Sequence, residues 1–450
     1  MEVLLYIVGV LVIVLGLAVS IALHEVGHLV PAKLFGVKVT QYMIGFGKTL
    51  FSRRRGETEY GVKLIPLGGY IAMTGMFPPA KPGGHMRDAS TGFFNTVVQE
   101  GGAPEAAPHE HVTATMEEEV EDEKRAFYRL AIWKRIIIML GGPFMNLVLA
   151  VLFYAIVLCG FGIPQLTTTI GSVSECVLPA TSTRQTCETG DPQAPGAAAG
   201  IQPGDQLVSV GGTPAEAWDQ VSALIRQSPS EPLDVVVKRD GEDVTLTATP
   251  LLTERYVTDA NGAIVKDSAG KEETQEVGFL GIGPTSAIVQ QPVTAVLPMV
   301  GQNIVAVANI ILHLPQRLID VADAAFGPGE RDPNGPVSVV GVGRLAGEIA
   351  SLDTVPIASR LSSLIGVVAS LNVALLVFNL VPLLPLDGGH VAGALWEGLR
   401  RGFARLFKRR DPGPFDASKL IPLTFVVVIV LGGMSALLIY ADIVKPISIG

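Results

Sequence analysis

Cysteine is scarce in this 450-residue chain, which has three in all, and that excludes a disulfide framework or a tetracysteine zinc site. Charge is scarce as well: Asp, Glu, Lys and Arg together make up 17% of the residues. No run of Lys and Arg resembles a nucleic-acid surface, so nucleic acid is not an expected partner. Much of the net charge of −9 comes from one local run, Met116 to Glu123, and therefore says little about partners. Apolar residues, by contrast, are abundant. At 48% hydrophobic residues and a mean hydropathy of +0.44, the composition is that of an integral membrane protein.

The stretch that organises the rest is His24-Glu25-Val26-Gly27-His28, at the end of an apolar run that begins at Val3. Two histidines four residues apart on a helix lie on one face and can share one ion, with Glu25 beside it. This H-E-x-x-H pattern is that of hydrolytic zinc sites, in which the glutamate is the general base. Ionised groups near a bilayer centre cost about 2.5–3.5 kcal/mol each. Zinc removes much of that cost, because it requires neutral imidazoles and brings a counter-charge. A polar patch at a helix end is the weaker reading. The first span has no basic n-region and no small-residue cleavage site before the histidines, so it is expected to stay in place rather than be removed as a signal peptide.

Residues 1–30 form the first expected transmembrane helix. Residues 31–77 are strand-like from Val37 to Ile44 and from Tyr60 to Leu67, with Gly45-Phe46-Gly47 between them, and predict a membrane-associated β-hairpin. Residues 78–123 are rich in Pro, Gly, Ala and Glu and read as a disordered acidic insertion. His85, His109 and His111 within it read as solvated loop histidines. Residues 124–165 hold the second span, which follows a basic stretch and contains Gly141-Gly142-Pro143-Phe144-Met145-Asn146. Small residues there allow close helix contact, and Asn146 can bond across helices.

Residues 166–280 alternate like short strands. Gly200-Ile201-Gln202-Pro203-Gly204-Asp205 and the strand after it resemble the turn and strand of a PDZ domain, a module that binds peptides by strand addition. Val257 to Glu276 is a polar insertion, with a hairpin expected around Asn261-Gly262. Cys176 and Cys187 can pair if this segment lies outside the cytosol. Residues 281–360 are read as amphipathic connecting helices, with Val293–Leu314 on the membrane surface. Residues 361–399 carry the third span, and 400–450 a basic loop and the fourth. Four spans put Arg53–Arg55, Lys124–Arg135 and Arg400–Arg410 on one side, cytoplasmic by the positive-inside rule.

His24 and His28 supply two ligands where a hydrolytic zinc site has three. The third span ends in Asn379-Leu380-Val381-Pro382-Leu383-Leu384-Pro385-Leu386-Asp387-Gly388-Gly389-His390. Its prolines break the helix, as is tolerated where backbone lines a cavity. Asp387 and His390 both stand there as third ligands, and spacing does not rank them.

With these motifs in place, the chain resembles, over nearly its whole length, the site-2 protease family of intramembrane zinc metalloproteases. It is closest in type to bacterial regulator-of-sigma-E-protease-like members with a single PDZ domain. The resemblance implies Asp387 as third ligand, Asn379 in positioning substrate or transition state, and a re-entrant hairpin at Val37–Leu67. The implied fold is an α-helical polytopic membrane protein with four transmembrane helices, a re-entrant β-hairpin and one extracytoplasmic PDZ-like α+β domain. The implied activity is cleavage of single-pass transmembrane proteins in the bacterial inner membrane, such as anti-sigma factors or signal-peptide remnants, after trimming by a site-1-type protease. The acidic insertion and the single PDZ-like domain depart from some members. A catalytically silent scaffold is disfavoured by the presence of Glu25. A zinc transporter is disfavoured by the few intramembrane ionisable groups beyond this one site.

Overall fold

The computed structural model of the chain describes residues 2–79, 87–90, 121–180, 182, 184, 186–257, 264–265, 271–329, 331–332, 335–416 and 420–447. Most of the acidic insertion, including His85, His109 and His111, lies outside them, as does Asn261-Gly262. The chain divides into two compact units, residues 1–161 with 291–450, and residues 162–290.

Unit 1 is built on α1 (Glu2–Leu34), which carries the apolar run and the histidines in one uninterrupted helix. At 1.5 Å per residue its 33 residues exceed the thickness of a bilayer core. Strands β1 (Val39–Arg55) and β2 (Thr58–Phe77) follow as the expected hairpin, but both are longer than the sequence suggests and both bend. Residues 41–44 of β1 pair on one side with 59–62 and on the other with 69–72 of the same β2 strand. Two strands thereby make a curled sheet of four segments, and β3 (Arg87–Ser90) adds to its edge beside Ala72 and Met73. Positive φ at Gly45 and Gly47 allows β1 to fold back. The sheet packs Val37, Val39, Ile71 and Met73 against Leu29 and Ala32 of α1 and Ile138 of the next helix.

That helix, α2 (Ile132–Ala155), crosses α1 where Gly27 meets Gly141: a Cβ on Gly27 would stand 2.2 Å from the Gly141 carbonyl oxygen. The crossing therefore needs glycine on both helices. A π-helical turn, Ile156–Phe161, ends the span. After unit 2 come α5 (Val296–Leu312), α6 (Leu314–Phe326), α7 (Val339–Ser351), α8 (Ile357–Asn379), α9 (Asp387–Leu406) and α10 (Ile421–Val444). Ala346 and Ala350 of α7 pack with Ile13 of α1 and with Leu364 and Val368 of α8. In the same bundle the buried Asn372 of α8 donates to Ser20 Oγ of α1 at 2.9 Å and to the Val368 carbonyl. Hydrogen bonds of this kind in a membrane interior contribute about 0.6–2 kcal/mol.

Among the described residues five helices are long and apolar enough to cross a membrane, against the four expected. The additional one spans Val293–Leu312, which the sequence assigned to the surface because Gln302, Asn303 and Asn309 interrupt it. The third span also differs from expectation. Within residues 361–399 the helix closes at Asn379, and Asp387 opens a separate helix, α9, which runs on through the basic segment to Leu406. Pro382 and Pro385 lack the amide hydrogen a helix needs, and each disfavours helical geometry in the residue before it. A buried ion pair, Arg135 to Glu397 at 2.7 Å, ties α9 to α2.

Unit 2 contains β4 (Ile163–Val173), α3 (Pro195–Ala198), β5 (Gln206–Val210), β6 (Thr213–Pro214), α4 (Trp218–Gln227), β7 (Leu233–Arg239), β8 (Glu242–Ala248), β9 (Leu251–Tyr256), β10 (Thr274–Phe279) and β11 (Ile282–Val289). The main sheet runs β11-β4-β5-β7-β8 with β6 beside β5, while β9 and β10 form a separate hairpin. Alternate residues Val235 and Val237 meet Leu207 and Val210 of β5 and Val221 and Ile225 of α4 in one core. Cys176 and Cys187 form a disulfide.

The Gly204-Asp205 turn is held by Arg239, whose guanidinium donates to both Asp205 oxygens at 2.8 and 2.7 Å and lowers the Asp205 pKa. A depressed folded-state pKa stabilises above the unfolded value, about 3.9, and the gain is lost as pH falls through the lower folded value. Arg239→Ala is therefore expected to destabilise unit 2 at pH 7. The gap to wild type should close as the pH is taken below about 3.9. Unfolding midpoints of the two proteins across that range check it.

Candidate active site

The helix register of α1 sets the site. His24 and His28, one turn apart, face α2, and Glu25, the next residue round the helix, faces the sheet. All three are buried, with His28 fully so. Gly69 of β2 lies against Glu25: a Cβ there would be 3.0 Å from Glu25 Cγ. On the opposite flank Gly142 of α2 lies against the imidazoles, and a Cβ on it would come within 2.3 Å of His28 Nε2 and 2.6 Å of His24 Nε2. From sequence alone Gly142 reads as a packing residue. Packing describes Gly141 at the Gly27 crossing, whereas Gly142 leaves the space in which the two imidazole nitrogens sit.

The broken end of α8 delivers the third group. Gly388 and Gly389 allow the first turn of α9 to lie directly on the backbone of residues 380–384. Asp387, first residue of α9 and buried, then projects Oδ2 to 3.2 Å from His24 Nε2 and 3.3 Å from His28 Nε2. The two Nε2 atoms are themselves 3.2 Å apart. Three donor atoms separated in this way span the face of a tetrahedron whose centre is about 2.0 Å from each, the bond length zinc makes to imidazole and carboxylate. Asp387 Oδ2 is also buried without a hydrogen-bond partner, as a ligand atom reserved for a cation would be. Among the described residues this is the one cluster of three such groups that could hold a metal ion. The residues present therefore fit zinc.

The remaining ring nitrogens are held by α2. His28 Nδ1 donates to the Ile138 carbonyl at 2.7 Å. Asn146 faces His24 Nδ1 at 3.0 Å, and its Oδ1 is otherwise buried without a partner. With Nε2 kept as the lone-pair nitrogen, Nδ1 carries the proton, so the amide serves the site when Oδ1 is turned to the ring and accepts from it. From sequence alone Asn146 reads as a helix-to-helix bond, and its position four residues after Gly142 is the signal for its second role. Asn146→Ala is expected to weaken zinc binding about 10–100-fold with the helices intact, read by chelator competition alongside circular dichroism.

His390, the other third-ligand candidate, instead packs its ring near Phe77 at 6.3 Å between centroids. Asn379 is the last residue of α8, half-buried, and no hydrogen bond among the described residues joins it to the cluster.

Comparison with known proteins identifies the family. The profile of peptidase family M50 matches residues 12–409, most of the chain. The chain belongs to peptidase family M50. Zinc metalloprotease Rip1 of Mycobacterium tuberculosis is 33% identical, over 98% of this chain and 99% of its own. Its counterpart in Mycolicibacterium smegmatis is 34% identical, over 98% of each. Metalloprotease MmpA of Caulobacter vibrioides is 26% identical, over 86% of this chain and 85% of its own. As an M50 member of the site-2 protease type, the chain is a multi-pass membrane zinc metalloprotease, and its class carries out regulated intramembrane proteolysis.

Proposed function

We propose that the chain cuts the transmembrane segment of single-pass membrane proteins inside the bilayer, with His24, His28 and Asp387 as zinc ligands and Glu25 as general base. The observation that carries this reading is the buried His-His-Asp triangle, sized for zinc, beside Glu25 within a bundle of apolar helices. Held by His24, His28 and Asp387, a zinc ion would supply Lewis acidity at the scissile carbonyl and make water a better nucleophile near neutral pH. Glu25 would take a proton from the attacking water and return it to the leaving amide nitrogen. Asn146 and the Ile138 carbonyl hold the Nδ1 edges of the two imidazoles and so would leave Nε2 of each free for the metal. Asn379 donates to the developing oxyanion once substrate is bound.

A helical substrate hides its scissile peptide, so it must unwind before attack. The curled sheet from Val37 to Leu67 receives it as an added strand from within the membrane. Exposed Leu50, Phe51, Leu64 and Ile65 at the bend of this sheet favour a re-entrant position.

Four helices cross: α1, α2, α8 and α10. Val293–Leu312 lies along the outer surface. Its start is tied to the end of the second span by the Gln291 amide donating to Leu158, and α6 after it packs Val321 and Ala325 on Leu438 and Ala441 near the end of α10. Its start and the following helix α6 thus meet the same end of the bundle, where α7 also packs on Gly9 near the start of α1. The basic segments then face the cytoplasm of a bacterial inner membrane. Unit 2 lies outside as a PDZ-like domain, in keeping with its disulfide.

There the domain admits substrates already shortened by a site-1-type protease, among them anti-sigma factors and signal-peptide remnants. Purified full-length protein is expected to cut a single-pass substrate whose external domain has been trimmed and to spare the untrimmed form. Equal cleavage of both would contradict the gating role.

A further inference from the structure

Unit 2 holds a cavity of about 490 Å³ between α4 and the β9–β10 hairpin. Trp218, Ile225, Phe279 and Ile282 line it together with Arg226 and Arg255, and among the described residues no Asp or Glu lines it. Asp219 lies two turns before Arg226 on α4, outside that lining. The Arg255 guanidinium is stacked over Phe279, 3.7 Å from the ring centroid, and its Nε is buried without a hydrogen-bond partner. Burial and the neighbouring charge of Arg226 lower the Arg255 pKa. Two like charges share a half-apolar hollow, an arrangement that a bound carboxylate would relieve.

The surrounding topology says what kind of molecule would bring the carboxylate. Among the described strands β11 is the last of the main sheet, an edge position that suits strand addition, and Gly281 and Ile282 at its start line the cavity. A peptide laid along that edge sends alternate side chains into the hollow. A planar guanidinium held by a ring stack is suited to grip a carboxylate through two parallel N–H bonds. A free chain terminus is bound by backbone amides in strand addition. Two side-chain cations, one on α4 and one on the hairpin, suit a further carboxylate within the peptide.

We propose that this cavity selects an extended peptide by an acidic side chain, Asp or Glu, which pairs with Arg255 and Arg226 while apolar neighbours fill the space beside Trp218 and Ile225. The proposal rests on the reading of unit 2 as a peptide-binding domain and adds which peptides it takes. Arg226 and Arg255 are then its specificity-determining residues.

The test uses full-length protein in detergent and two sets of fluorescent octapeptides, acetylated and amidated. Val, Leu, Ala and Thr surround a central Glu in one set and a central Gln in the other. The Glu set is expected to bind at least about tenfold more tightly, with an advantage that shrinks as salt rises. In Arg255→Gln the advantage should fall to within about threefold while the Gln set binds as before, which also reports an intact fold. Equal binding of the two sets overturns the proposal, as does a preference that survives in the Arg226→Gln, Arg255→Gln double variant. Binding only by versions with a free terminus overturns it in favour of terminal recognition. If no peptide of any form binds, the peptide-binding reading of unit 2 itself falls.

Discussion

Asp387→Ala is expected to leave the purified protein without stoichiometric zinc, with a fall in affinity beyond the roughly 10–100-fold that loss of an outer hydrogen-bond partner causes. Two imidazoles remain in that variant, and a hydrolytic zinc site needs a third protein ligand. His390→Ala is the informative comparison, because His390 is only three residues away and an equally good ligand by chemistry. Its ring packs near Phe77 while Asp387 reaches both imidazoles, so zinc content in His390→Ala should match wild type. Metal analysis of the two variants decides the matter: zinc kept in Asp387→Ala and lost in His390→Ala would reverse the assignment.

Gly142→Val is the second substitution with a large expected effect, loss of nearly all cleavage together with weakened zinc binding. The first added carbon would stand 2.3 Å from one imidazole nitrogen and 2.6 Å from the other. Neither ring can retreat, since each is held on its far side by α2. Gly366→Ala in the apolar helix α8 is the control, because a Cβ there meets nothing within 4 Å. It should be neutral or stabilising by about 0.5–1 kcal/mol. Cleavage rate and zinc content measured on both variants check the contrast.

Much of this site was legible in the chain because its chemistry is local. The i, i+4 spacing of His24 and His28 is a property of any helix, and an apolar run long enough to span a bilayer made their ionisation costly without a metal. The choice between Asp387 and His390 was not local. It depends on how residues 380–386 turn after the helix breaks, which proline content announces but does not direct. Gly142 and Asn146 were visible as a small-residue, amide-bearing helix face, yet their relation to the histidines exists only once α1 and α2 cross at Gly27 and Gly141. The sheet shows the same limit. Alternation of apolar residues and glycine marked a hairpin at Val37–Leu67, but not that each strand folds on itself, because a register shift needs the positions of both partners. In Val293–Leu312, polar residues lower the hydropathy without deciding between a surface and a crossing helix. Neighbouring contacts, such as that of Gln291 with Leu158, bear on that choice.

The most direct test of the central claim is cleavage of a single-pass model substrate, reconstituted in a bilayer, by wild type and by Glu25→Gln with bound zinc quantified in both. General-base loss lowers rates by about 10²–10⁴-fold, and the amide keeps the size of the side chain it replaces. Zinc is expected to stay bound in both proteins, and cleavage, at a peptide bond within the membrane segment, to be lost in the variant. Undiminished cleavage by the zinc-loaded variant, or cutting confined to the substrate's aqueous part, would contradict the central claim.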